Sequence, residues 1–141
     1  MYLHRKLQVY YLTAVLGVVI ALLGFGYNTW RLEISENNNN IRTAAFESFK
    51  ALATLEQIIY AHHYDQNQQD GSPRKAWVQV GLISDLSSIV SAEVHTEAET
   101  LRQLWQQYWS VVAHDREATN AMVAQIDKVR TAIKQTLLSL D

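Results

Sequence analysis

Hydrophobic residues fall along the chain in two distinct ways. From Leu7 to Tyr27 they are continuous, interrupted only by Gln8 and Thr13, and no charged residue stands between Lys6 and Arg31. As a helix those residues reach about 31 Å at 1.5 Å per residue, the thickness of a hydrocarbon core. Tyr10 and Tyr11 near one end, and Tyr27 and Trp30 at the other, are the amphipathic rings expected at the two headgroup levels. The reading is a transmembrane signal anchor over 7–27. A cleaved signal peptide is the rival, but Gly24-Phe25-Gly26 is a poor small-x-small cleavage site and the apolar run is long for one.

From Ile41 onward the pattern changes to a 3/4 spacing. Ile41, Ala45, Leu52, Leu55, Ile59 and His62 form one stripe, widened by Phe46 and Phe49, which predicts an amphipathic helix over about 41–67. The polar run from Gln66 to Pro73 predicts a connection, with Ser72 as N-cap and Pro73 at the first helical position. Trp77, Val80, Ile83, Leu86, Val90 and Val94 carry the stripe on through Leu101, Leu104 and Tyr108 to Met122, Ile126, Val129, Ile133 and Leu140. One helix from Pro73 to Leu140 would be about 100 Å long, so a break is required. The favoured break is 113–117, giving helices of roughly 73–112 and 117–139. A capping box at Thr96 and Glu99 would add a second break and a fourth helix.

The run Asn37–Asn40 divides the two regimes. Asn favours local turns over helix, so 28–40 reads as a juxtamembrane break, with a continuous helix as the alternative. The expected organisation is a tail over 1–6, an anchor over 7–27, a juxtamembrane segment over 28–40 and a helical region over 41–141. The fold class is all-α: a single transmembrane helix followed by an extracytoplasmic antiparallel helical bundle or coiled coil of three long helices, or four if both breaks are used.

Charge sets orientation. Arg5, Lys6 and the α-amino group precede the anchor, whereas Glu33 and Glu36 closely follow Arg31, so the N-terminus is expected in the cytoplasm. Residues 31–141 hold ten basic and fourteen acidic residues, too little positive charge for a nucleic-acid binder. The 141-residue chain has no Cys and no Asn-x-Ser/Thr sequon. This excludes disulfides and thiolate zinc and fits a bacterial inner-membrane protein with a periplasmic domain.

Candidate chemistry is sparse. Ala14, Gly17, Ala21 and Gly24 form a stripe of small residues suited to close helix packing in lipid. Trp105, Tyr108 and Trp109 at i, i+3, i+4, with Val112 a turn on, are either core or a partner-binding patch. Gly81–Leu101 contains Asp85, Glu93, Glu97 and Glu99 and no basic residue, a solvated acidic face or a dock for a basic partner. A composite metal site from His62, His95, Glu99 and His114 is conceivable, but no ligand spacing supports it, and no metal or cofactor is expected. No nucleophile elbow, phosphate loop or His-Glu-x-x-His is present, so no enzyme is expected.

The expectation is a non-catalytic accessory or scaffolding subunit of a membrane complex. Its partners would be the bilayer and other membrane subunits, or copies of itself. The alternative is a sensory or ligand-binding helical module signalling through a partner. The order of anchor, long helix, polar turn and returning helix resembles the input half of bacterial chemoreceptor-type bundles, and Glu97–Arg116, with Leu104, Trp105, Tyr108 and Trp109, lies where that resemblance is nearest. It departs in having no second membrane helix before Asp141. Phage-lysis-type tethers share the anchor-then-helices layout, but are usually more charged than the 18% here.

Overall fold

The computed structural model describes residues 2–140. Met1 and Asp141, the outermost residues of the expected tail and helical region, lie outside the described residues. The described residues form four helices and no strand: α1 (Tyr2–His63), α2 (Pro73–Val90), α3 (Ala92–Tyr108) and α4 (Arg116–Leu138). The chain divides into two compact units, Met1–Asn38 and Asn39–Asp141, and the boundary falls within α1.

The expected break at Asn37–Asn40 is absent, because those residues are helical. Four Asn cost about 0.5 kcal/mol each in helix propensity. Ending one helix and starting another would strand about eight backbone N–H and C=O groups and require a new nucleus. Strong helix formers on both sides therefore carry the helix through, and Thr43 bonds back to Asn39 O at 2.9 Å.

The second unit is built on one apolar core. Leu52, Leu55 and Ile59 of α1, Val80 and Ile83 of α2, Val94 and Leu101 of α3, and Met122, Ile126 and Ile133 of α4 are all buried in it. Contacts pair rising numbers on one helix with falling numbers on the next. Trp77 meets Trp105 and Ser87 meets His95 between α2 and α3. Gln125 meets Glu97 and Thr136 meets Ser91 between α4 and α3. Arg130 meets Glu56 and Arg42 meets the Leu140 carbonyl between α4 and α1.

α1 stops at His63, three residues short of the connection. Gln66 takes φ 49 and the Asn67 N–H closes on Ala61 O at 3.0 Å. Pro73 opens α2 as expected, while Ser72 makes no side-chain cap bond. The break near 113–117 is present: Asp115 caps α4 by accepting from Glu117 N at 2.8 Å and Ala118 N at 3.2 Å.

The expected single helix over 73–112 is corrected. It is two helices, and the break is at Ser91, not at Thr96. Ser91 is extended (φ −169, ψ 163), and its hydroxyl accepts from Val94 N at 3.2 Å. Thr96 sits inside α3 with its hydroxyl bonded back to Ala92 O. Ser91 also meets Thr136 Oγ1 at 3.0 Å. Ser91→Ala is expected to cost about 1–2 kcal/mol, since it removes the cap of α3 and this cross-link together. Urea unfolding of the detergent-solubilised chain measures it, and a change under about 0.3 kcal/mol would exclude Ser91 as a working cap.

Candidate functional site

In the first unit every described side chain from His4 to Asn37 is exposed, including Ala14, Gly17, Ala21 and Gly24. A Cβ added at Gly17 or Gly24 would meet nothing within 4 Å. The hydroxyls of this segment are satisfied within the helix: Thr13 donates to Val9 O and Tyr10 O, and Thr29 to Phe25 O, each at 3.0 Å. Tyr27 and Trp30 lie 6.1 Å apart. The helix is long and apolar enough near the N-terminus to cross a membrane.

In the second unit the four residues of the expected aromatic patch separate. Trp105 and Val112 are buried, Tyr108 is half-buried and Trp109 is exposed. Helix α3 ends at Tyr108; Trp109 keeps helical dihedrals, with its N–H on Trp105 O at 2.9 Å, and the chain turns after it through Val111 N–H to Tyr108 O at 2.9 Å. Trp105 packs edge-on to Trp77 at 6.3 Å, and its Nε1 has no hydrogen-bond partner. The Val112 carbonyl takes two contacts, His63 Nδ1 at 2.8 Å and Thr119 Oγ1 at 3.1 Å, which pin the α3–α4 connection to α1 and α4.

The histidines fall into two groups. His95 lies beside Ser87 and Glu99, and Glu99 is held by the Ser84 hydroxyl and by Arg102 at 2.7 Å. Those two bonds, the serine first, draw the Glu99 carboxyl below the ordinary carboxylate range. Ser87 Oγ donates to Ser84 O at 2.6 Å and lies 3.0 Å from His95 Nδ1. His62 belongs to the other group, near His63 and His114. Among the described residues no group of three or more His, Asp or Glu could hold a metal ion.

Comparison with protein-family models, with curated proteins and with solved structures finds no match.

Burial, followed by the charges of His114 and His63, holds the His62 imidazole below its ordinary 6.5. The unfolded chain therefore takes this proton first, and the stability due to neutral His62 is complete above pH 6.5 and lost as pH falls below it. His62→Gln is expected to flatten the fall in unfolding midpoint between pH 7.5 and 5. An unchanged slope would show that His62 does not set it.

Several residues escaped the sequence reading. Arg130 of α4 bridges Glu56 at 2.5 Å and Asp127 at 2.9 Å, and its spacing to Glu56 carries no local signal. Gln125 is buried, with its amide bonded to Glu97 O at 3.0 Å and Oε2 at 2.7 Å. Between α1 and α2 lies an open groove of about 500 Å³ lined by Thr54, Gln57, Ile58, Ala61, Lys75 and Val78, among others.

Proposed function

We propose that the chain is a non-catalytic accessory or scaffolding subunit of a bacterial inner-membrane complex. It spans the bilayer once through 7–27 with its N-terminus in the cytoplasm, and the distal part of α1 closes with α2, α3 and α4 into an antiparallel four-helix bundle in the periplasm. The observation that carries this is the apolar helix whose side chains nothing else in the described chain covers. A 21-residue stretch of that kind in water would be an exposed apolar surface far larger than a soluble monomer tolerates. The opposed directions of the paired helices support the bundle. Linked contacts in the membrane and outside it would be strengthened by confinement, each remaining weak alone.

Because the chain has no Cys, single introduced cysteines report topology without background. His4→Cys should be shielded from an impermeant maleimide in intact spheroplasts, and Asn40→Cys should be labelled. The opposite pattern overturns the orientation. Purification from native membranes in mild detergent should bring down a stoichiometric complex, and the double change Gly17→Leu, Ala21→Leu should loosen it. A chain that purifies alone overturns the subunit reading. The sensory alternative draws on the α1–α2 groove. It gains if the chain purifies alone and a small ligand raises its unfolding temperature.

A further inference from the structure

Three of the histidines in the second unit meet at one end of it. His62 and His63 close α1, and His114 lies in the connection between α3 and α4. His63 Nδ1 stands 2.8 Å from the Val112 carbonyl, 49 positions along the chain. A carbonyl can only accept, so Nδ1 carries the proton and donates it. The backbone of His62 is pressed against Gly71, where an added Cβ would lie 2.5 Å from it. The histidines therefore sit where the end of α1 meets both connections, 64–72 and 109–115.

No counter-charge serves these rings. The other ionisable groups on the elements that meet here are Tyr64, Asp65 and Asp70 after α1, Arg74 and Lys75 at the start of α2, and Asp115, Arg116 and Glu117 at the start of α4. Asp70 is taken up by Asn67, with Lys75 at 3.8 Å, and Asp115 by the N–H groups of Glu117 and Ala118. Tyr64 meets His63 edge-on at 4.6 Å and brings no charge. Among the described residues no carboxylate is paired with His62, His63 or His114, and the charges that bear on His62 are those of the other two. His95, the remaining histidine of this unit, differs: Glu99 lies one helical turn away and can balance it.

Protonating His63 keeps its Nδ1–H, and with it the bond to Val112. What acid adds is positive charge on neighbouring rings, one of which, His62, is half-buried. The carbonyl end of α1 favours some of that charge, but burial and the adjacent rings leave His62 harder to protonate than in water. Opening this end would hydrate the rings and separate them, so proton uptake favours the open form. The opposite end is tied by groups that do not titrate in this range, Ser91 to Thr136 at 3.0 Å and Arg42 to the Leu140 carbonyl at 3.2 Å.

We propose that His62, His63 and His114 make this end of the second unit an acid-released latch: on mild acidification the α3–α4 connection parts from the end of α1 and from 64–72, while the Ser91 end stays closed. The latch belongs to the second unit alone and holds whether or not the chain is a subunit of a complex.

Hydrogen exchange of the full chain in detergent, corrected for the intrinsic pH dependence of amide exchange, reads the two ends separately. The amides of Asn67, Gly71, Val112 and Asp115 are bonded in the two connections, and those of Ser91, His95 and Ser139 at the other end. From about pH 7.5 to about pH 5 the first set should lose protection at least about threefold and the second should not. His62→Gln combined with His114→Gln should abolish this response. His114→Gln alone, at an exposed position, should weaken it with the fold intact, and His95→Gln should leave it unchanged. Equal loss at both ends, loss confined to the Ser91 end, or no loss at either overturns the latch. So does a response that survives the double change, is indifferent to His114→Gln, or disappears with His95→Gln.

Discussion

Trp105→Ala is expected to destabilise the second unit by about 3–5 kcal/mol, the usual cost of deleting a large buried ring. Trp105 is 1% exposed, heads the fully buried side chains by volume and braces α3 against Trp77 of α2. Typical domain stability is about 5–15 kcal/mol, so the loss takes a large share of it. Trp105→Phe separates the ring from its nitrogen. The Nε1 proton has no partner, and an unpaired buried donor costs about 1–3 kcal/mol. Phenylalanine forfeits some packing but removes that penalty, and should stay within about 1 kcal/mol of the natural chain. Urea unfolding of both variants in detergent decides it. Equal losses for Ala and Phe would mean that the indole nitrogen is bonded in solution.

Gly71→Ala is the second large effect. A Cβ at Gly71 would lie 2.5 Å from both Cα and N of His62. These are backbone atoms at the end of α1, and no side chain can swing aside to relieve the contact. The connection has little room to yield. Asn67 accepts from Gln69 N and Asp70 N, donates to Asp70 Oδ2, and receives Gly71 N–H on its carbonyl at 2.8 Å. The expected cost is about 1–3 kcal/mol, as for overpacking elsewhere. Gly81, with nothing within 4 Å of an added Cβ, is the internal control, since alanine there meets only open space. The two alanine variants should move the unfolding midpoint by clearly different amounts. Equal shifts would place the sensitivity in backbone freedom and not in the contact with His62.

Much of this architecture is legible in residue spacing. The 3/4 stripes of α1 and α4, Pro73 at the start of α2 and the break at 113–117 all correspond to structure, whereas the Ser72 cap bond does not form and the Asp115 cap escaped the sequence reading. The reversal at Ser91 is not legible in periodicity. Buried positions run 76, 80, 83, 87, 90, 94, 98, 101, 105, and the four-residue step across the break fits the same 3/4 spacing as the steps on either side. The available signal was chemical: Ser84, Ser87, Ser88 and Ser91 crowd eight residues, and Ser87 and Ser88 bond to backbone carbonyls of the turn before them. Asn37–Asn40 misleads in the opposite sense, because a local preference of tenths of a kcal/mol yields to a helix already formed on both sides. Spacing does not divide the aromatic cluster either: Trp105 and Trp109 are 40° apart on an ideal helix and the backbone stays helical at Trp109, yet one ring is buried and the other exposed.

The single extended residue between α2 and α3 bears on how the unit assembles. A one-residue link brings two helices together with almost no chain to close, so their pairing should be among the fastest steps. The bridge from Arg130 to Glu56 spans 74 positions and must wait until the last helix exists. While the chain folds, the inner face of α1, with Leu52, Leu55 and Ile59, would stay incompletely covered longest, and that interval is when a holding chaperone or a premature neighbour would find its grip.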